Sequence, residues 1–131
     1  MKAIYLVTTI LFLAFVSCQS QSVKTSIDAS TFNTKMTTLK NAIVLDVRTP
    51  EEYTNGYIGK ALNIDYESDA FEKEISRLDK SKTYLLYCES GGRSKSALEV
   101  MHEQGFRNVF ELNGGMEKWV DSKLPVSTKP D

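Results

Sequence analysis

The chain has only one histidine, two cysteines and three prolines in 131 residues, and each scarcity removes a class of protein. So few prolines beside a hydrophobic content of 41% exclude a disordered or fibrous chain, and a packed core is expected. The length suits one domain of ordinary size. Charge of one sign is also missing: the net charge is -1 and the signs are interspersed. With no basic stripe and no aromatic-basic interleaving, no nucleic-acid partner is expected.

Long hydrophobic runs are confined to the start. "MKAIYLVTTILFLAFVSCQS" carries one cation, Lys2, then a mostly apolar run from Ala3 to Val16, then small residues, the pattern of an export signal. The run is about 14 residues where a membrane-crossing helix needs roughly 20, so cleavage is favoured over a permanent anchor. "FVSC" resembles the lipobox of bacterial lipoproteins, in which the cysteine becomes the lipidated N-terminus; Phe15 stands where that motif most often has leucine. The resemblance implies that residues 1–17 are removed before Cys18, that Cys18 carries lipid, and that residues 18–23 form a short polar tether. The domain then occupies residues 24–123, followed by a tail of residues 124–131. Such a protein is membrane-tethered in the cell envelope, on the periplasmic or surface side; without the lipid it is periplasmic or secreted.

Lipid on Cys18 leaves Cys88 without a cysteine partner. An unpaired thiol in an oxidising compartment is open to oxidation, so its presence needs a reason beyond filling space as a small hydrophobe. Its surroundings supply one. "IVLDV" (Ile43 to Val47), "TYLLY" (Thr83 to Tyr87) and "NVFEL" (Asn108 to Leu112) are apolar runs of strand length, with "ALNI" and "VKTSI" as weaker candidates. Between them Phe32, Met36 and Leu39, then Phe71, Ile75 and Leu78, then Ala97, Leu98 and Met101, fall on single helical faces. "TPEE" at Thr49 to Glu52 has the chemistry of a helix start. Alternating strands and helices with nearly continuous apolar strands predict an α/β fold around a parallel sheet covered on both faces.

Ligands of such sheets bind beyond the carboxyl ends of the strands, and Cys88 is the first residue past one of them. The following "ESGGRS" brings Gly91 and Gly92, whose dihedral freedom lets successive N–H groups turn inward, and a helix is predicted to start near Ser94. Those amides, the positive helix end and Arg93 favour the thiolate of Cys88, its reactive form. His102 lies about eight residues further along the helix, roughly 12 Å from Ser94, too far to pair with the thiol.

Three segments together resemble the single-domain rhodaneses, which are sulfurtransferases: "DVRTPEEYTNGYIGKALNI" (Asp46 to Ile64), "CESGGRS" (Cys88 to Ser94) and "LNGGMEKW" (Leu112 to Trp119). Tyr57 departs from the family, which commonly has histidine at that packing position. The resemblance implies a five-stranded parallel sheet flanked by helices on both faces, and a sulfane sulfur carried from donor to acceptor as a persulfide on Cys88. Arg93 and the cradle of Glu89, Ser90, Gly91, Gly92 and Ser94 would stabilise negative charge there, and Ser96 is a weaker candidate donor. Asp46 and Arg48 would support the loop, Gly114 and Gly115 would form a tight turn, and Trp119 would pack in the core. The implied partners are a small sulfur donor such as thiosulfate, a persulfide or a polysulfide, and a thiol acceptor, with a thioredoxin-like protein as one candidate. No cofactor and no metal is implied. The rivals are a phosphatase or arsenate reductase, disfavoured because C-x4-R is one residue short of the phosphatase C-x5-R, and a lipid-tethered binding module on the same scaffold, which has no need of a nucleophile. Glu89, beside the nucleophile, is an odd neighbour for a site receiving doubly anionic thiosulfate and points to a less charged donor.

Overall fold

The computed structural model describes residues 25–128. The expected signal, Cys18 and the tether lie outside the described residues. Five strands alternate with five helices: β1 (Ser26–Ile27), α1 (Ala29–Thr38), β2 (Ala42–Asp46), α2 (Pro50–Thr54), β3 (Leu62–Asn63), α3 (Phe71–Ser76), β4 (Thr83–Tyr87), α4 (Gly92–Glu103), β5 (Val109–Leu112) and α5 (Gly115–Asp121). The strands form one sheet in the order β1-β5-β4-β2-β3, every pair parallel, as the α/β reading expects.

Local chemistry accounts for the helix starts. Asp28 caps α1 by accepting the Thr31 N–H at 2.7 Å, and Thr49 and Glu52 close a full capping box on α2 with Pro50 in its first turn. Of the predicted faces, Phe32, Phe71, Ile75, Ala97, Leu98 and Met101 are buried. Leu39 instead caps the end of α1, half-exposed, and Leu78 lies past α3 but still packs on the core. The tight turn expected at Gly114 and Gly115 is the start of a further helix: Gly114 is the N-cap of α5 and Gly115 its first residue.

Alternation along the strands splits the core into two layers. Leu45, Tyr84, Leu86 and Val109 face α3 and α4. Val44, Leu85, Tyr87 and Leu112 face α1 and α5, with Phe32 and Trp119 edge to face at 5.9 Å. The connection after β4 runs to β5 on one side and that after β2 runs to β3 on the other. A crevice therefore opens beyond the carboxyl ends of β4 and β2, the usual address of a ligand in such a sheet.

Residues 124–127 are stitched to the fold. The Trp119 indole donates to the Pro125 carbonyl at 2.8 Å, and Ser127 forms an antiparallel bridge with Tyr57 through N–O contacts of 2.9 and 2.8 Å. Tyr57 in turn stacks on Tyr53, ring centroids 4.6 Å apart, which gives this departure from the family a packing role.

Candidate active site

Cys88 follows β4 directly and is 1% exposed. Its Sγ accepts the Gly91 N–H at 3.1 Å and lies 3.5 Å from the Ser94 hydroxyl. Of the expected cradle, the Gly91 amide is the one that hydrogen-bonds the sulfur; Ser90 and Gly92 are exposed at the rim. Gly91 holds the turn with φ of 108° as the N-cap of α4, which starts at Gly92, so the positive end of that helix lies at the loop.

The loop is gripped from outside by α5. Met116 donates its N–H to the Cys88 carbonyl at 2.9 Å and Glu117 to the Glu89 carbonyl at 3.1 Å. A Cβ on Gly115 would sit 2.4 Å from the Cys88 carbonyl oxygen, so glycine is required for this approach. The Gly114-Gly115 pair therefore does more than turn the chain: it lets a helix end meet the backbone of Cys88 and Glu89.

Asp46 and Arg48, at the end of β2, form a buried clamp. Arg48 donates through Nη2 to Asp46 at 2.7 Å and to the Gly56 carbonyl at 2.6 Å, and Asp46 also accepts the Tyr87 hydroxyl at 2.5 Å. Burial weakens the hold of the guanidinium on its proton, but the hydrogen bonds and charge of Asp46 outweigh it and raise the Arg48 pKa above its usual value. Burial first, and the charge of Asp46 second, raise that of the Tyr87 phenol. The third partner of Arg48 is Glu89, at 3.0 Å, so Glu89 lies at the rim with its charge matched.

Arg93 is paired with carboxylates. Its guanidinium makes two hydrogen bonds to Glu52, at 2.8 and 2.9 Å, and lies 3.6 Å from Glu67, instead of reaching the sulfur. The bond from Arg93, opposed by partial burial, pulls the Glu52 carboxyl down to about 2. The Arg93 guanidinium is thus held by carboxylates and makes no hydrogen bond to Cys88. Beside these pairs is a cleft of about 370 Å³, lined by Arg48, Glu52, Glu89, Met116, Val120 and Val126 among others. Ser96 bonds the Gly92 carbonyl at 3.4 Å, and His102 lies in the last turn of α4, away from the loop. Among the described residues no cluster of His, Cys, Asp and Glu is arranged to hold a metal.

One residue escaped the sequence reading. Glu111 on β5 is wholly buried and accepts the Ser94 hydroxyl at 3.0 Å. In "NVFEL" it is the charged residue of an otherwise largely apolar run, and only the neighbouring position of β5 beside β4 brings it under the loop.

Over residues 28–122 the chain matches the family described as the rhodanese-like domain. It is 29% identical over 100 residues to a sulfurtransferase of Allochromatium vinosum, covering 76% of this chain and 92% of the relative. To the chloroplastic thiosulfate sulfurtransferase 16 of Arabidopsis thaliana it is 34% identical over 92 residues, covering 63% of this chain and 77% of the relative. The crystal structure of a rhodanese-related protein from Thermoplasma volcanium has the same fold, with a TM-score of 0.71 at 30% identity, covering 79% of this chain and 98% of that one.

Proposed function

The chain belongs to the rhodanese-like domain family, and from that membership we propose that it is a sulfurtransferase working through a persulfide on Cys88. The observation that carries this reading is a buried thiol at the carboxyl end of the central strand, hydrogen-bonded by the Gly91 amide at 3.1 Å and set at the start of a helix. The thiolate attacks the outer sulfur of the donor, the donor's S–S bond breaks, and its electron pair leaves with the remainder. An acceptor thiolate then attacks the sulfur bound to Cys88, which leaves as a thiolate again. The Gly91 amide, the end of α4 and the field of Arg93 stabilise the negative charge carried on sulfur in both steps.

Cys88 is the free cysteine among the described residues, so no second thiol of the domain resolves the persulfide. An external acceptor follows: a small thiol or a thioredoxin-like protein. The donor is one of low charge, such as a thiol persulfide, because both arginines near the cleft are already matched by carboxylates, Arg48 by Asp46 and Glu89, and Arg93 by Glu52 and Glu67.

Incubation with thiosulfate or a polysulfide, followed by mass spectrometry, tests the reading. The wild type should gain the mass of one sulfur on Cys88, and folded Cys88→Ser should gain none and move no sulfur to cyanide, because a hydroxyl is scarcely ionised where a thiol can be. No gain in the wild type would leave a binding module on the same scaffold, and transfer by the serine variant would remove Cys88 from the chemistry.

A further inference from the structure

The buried carboxylate of Glu111 has no place in the steps above, and its surroundings are unusual. Its Oε2 accepts the Ser94 hydroxyl at 3.0 Å and its Oε1 accepts the Ser26 hydroxyl. Among the described residues no Lys, Arg or His forms an ion pair with it. A carboxylate withdrawn from water without a cation costs several kcal/mol unless hydrogen bonds or a proton offset it. An amide would join β1 to α4 equally well, so an acid at this position supplies something an amide cannot: a place for a proton.

The geometry points to Glu111 as the residue that takes the Cys88 proton through Ser94 and passes it to solvent through Ser26. Ser94 is wholly buried, and its oxygen lies 3.5 Å from Cys88 Sγ, 3.1 Å from the Gly91 carbonyl and 3.0 Å from Glu111. With Glu111 ionised, Ser94 donates to Glu111 and the Cys88 S–H points at Ser94. As the S–H bond breaks, its electron pair stays on sulfur, the proton joins the Ser94 oxygen, and the proton already on Ser94 moves to Oε2. Cys88 is then a thiolate receiving the Ser94 hydroxyl, Glu111 is neutral, and nothing is oxidised or reduced. Ser26 is exposed on the edge strand β1, so the route reaches water beyond the buried thiol.

The strand neighbours and side-chain hydrogen-bond partners of Glu111 among the described residues carry no charge: Ser26 on β1, Leu86 on β4 and Ser94 on α4. Around Cys88 the charged side chains are Arg93 and Lys95 on α4, Glu52 on α2, Asp46 and Arg48 at the end of β2, and Glu89 in the loop; Lys95 is exposed, and the rest pair with one another. The Tyr87 phenol bonds Asp46, and His102 is at the far end of α4.

The inference rests on Cys88 being the nucleophile, yet its test needs no sulfur donor, so the two readings fail separately. In the full chain, alkylation of Cys88 by iodoacetamide is followed against pH and read by peptide mass spectrometry. The wild type should be alkylated roughly tenfold faster than Glu111→Gln or more, because only its carboxylate can accept the thiol's proton. Superimposable profiles would overturn the proposal and leave Glu111 a packing residue. A second measurement needs no variant to fold: in the infrared difference spectrum of the wild type, alkylation of Cys88 should alter the carboxyl region, and an unchanged carboxyl region would overturn the relay.

Discussion

Asp46 and Glu111 are both wholly buried carboxylates of the same sheet, one ending β2 and the other in β5, and they are treated in opposite ways. Asp46 is saturated: the backbone and guanidinium of Arg48 and the hydroxyl of Tyr87 all donate to it. Glu111 has two serine hydroxyls and no cation among the described residues. A buried acid locked to a buried arginine is a brace, since neither partner can change its charge without stranding the other. A buried acid held by hydroxyls retains the option of a proton. The brace secures the walls of the site, and the second acid serves its sulfur.

The largest effect expected from this contrast is on stability. Asp46→Asn strands the Arg48 charge with only the rim partner Glu89, and a loss of about 3–5 kcal/mol is expected in urea denaturation. Glu111→Gln strands no charge and should lose about 1 kcal/mol. Equal losses would break the comparison.

A smaller effect is expected where the brace meets the cleft. Glu89→Gln removes the outer partner of Arg48 and leaves the guanidinium facing the cleft with Asp46 alone. The kcat/KM for thiosulfate should rise by roughly tenfold or somewhat less at low salt, and the gain should shrink as salt screens it. Unchanged kinetics at low ionic strength would show that Arg48 already neutralises Glu89 and that the residue has no say in donor charge.

The smallest effect concerns the exposed counterpart of the brace, Glu52 with Arg93, whose side chains are 31% and 25% accessible. The Glu52 carboxyl falls from 4.5 to about 2 in the fold. A depressed acid stabilises above its unfolded value and loses that contribution as pH falls toward the folded one, here between about 4.5 and 2. Solvent limits the pair to about 1 kcal/mol or less. Wild type should therefore exceed Glu52→Gln in urea resistance at pH 6 and match it near pH 2; glutamine keeps the capping box, so a gap that persists in acid would assign the effect to the cap instead.

What the sequence made legible was local. The capping box at Thr49, the central strand ending just before Cys88 and the glycine that closes the loop at the start of α4 are each set by residues adjacent in the chain. What it hid depends on which strands lie side by side. Glu111 meets Ser94 across 17 positions and Glu52 meets Arg93 across 41, and neither spacing carries a periodic signal. The short helix α5 was masked by two glycines whose purpose, the close approach to the Cys88 carbonyl, exists only after folding. The strands β1 and β3 pair on one side only and shrink to two residues each, less than their apolar runs suggested.

The stitched C-terminal segment alters where the working unit ends. The family resemblance stops at residue 122, yet Val126 walls the cleft and Ser127 pairs with Tyr57, beside the Gly56 carbonyl that anchors Arg48. Shortening a recombinant chain to the family boundary would strip a wall from the cleft and loosen the support behind it, and a tag fused directly after Val126 would compete for the same edge. The boundary of ancestry and the boundary of mechanical integrity differ here by at least five residues, Lys123 to Ser127.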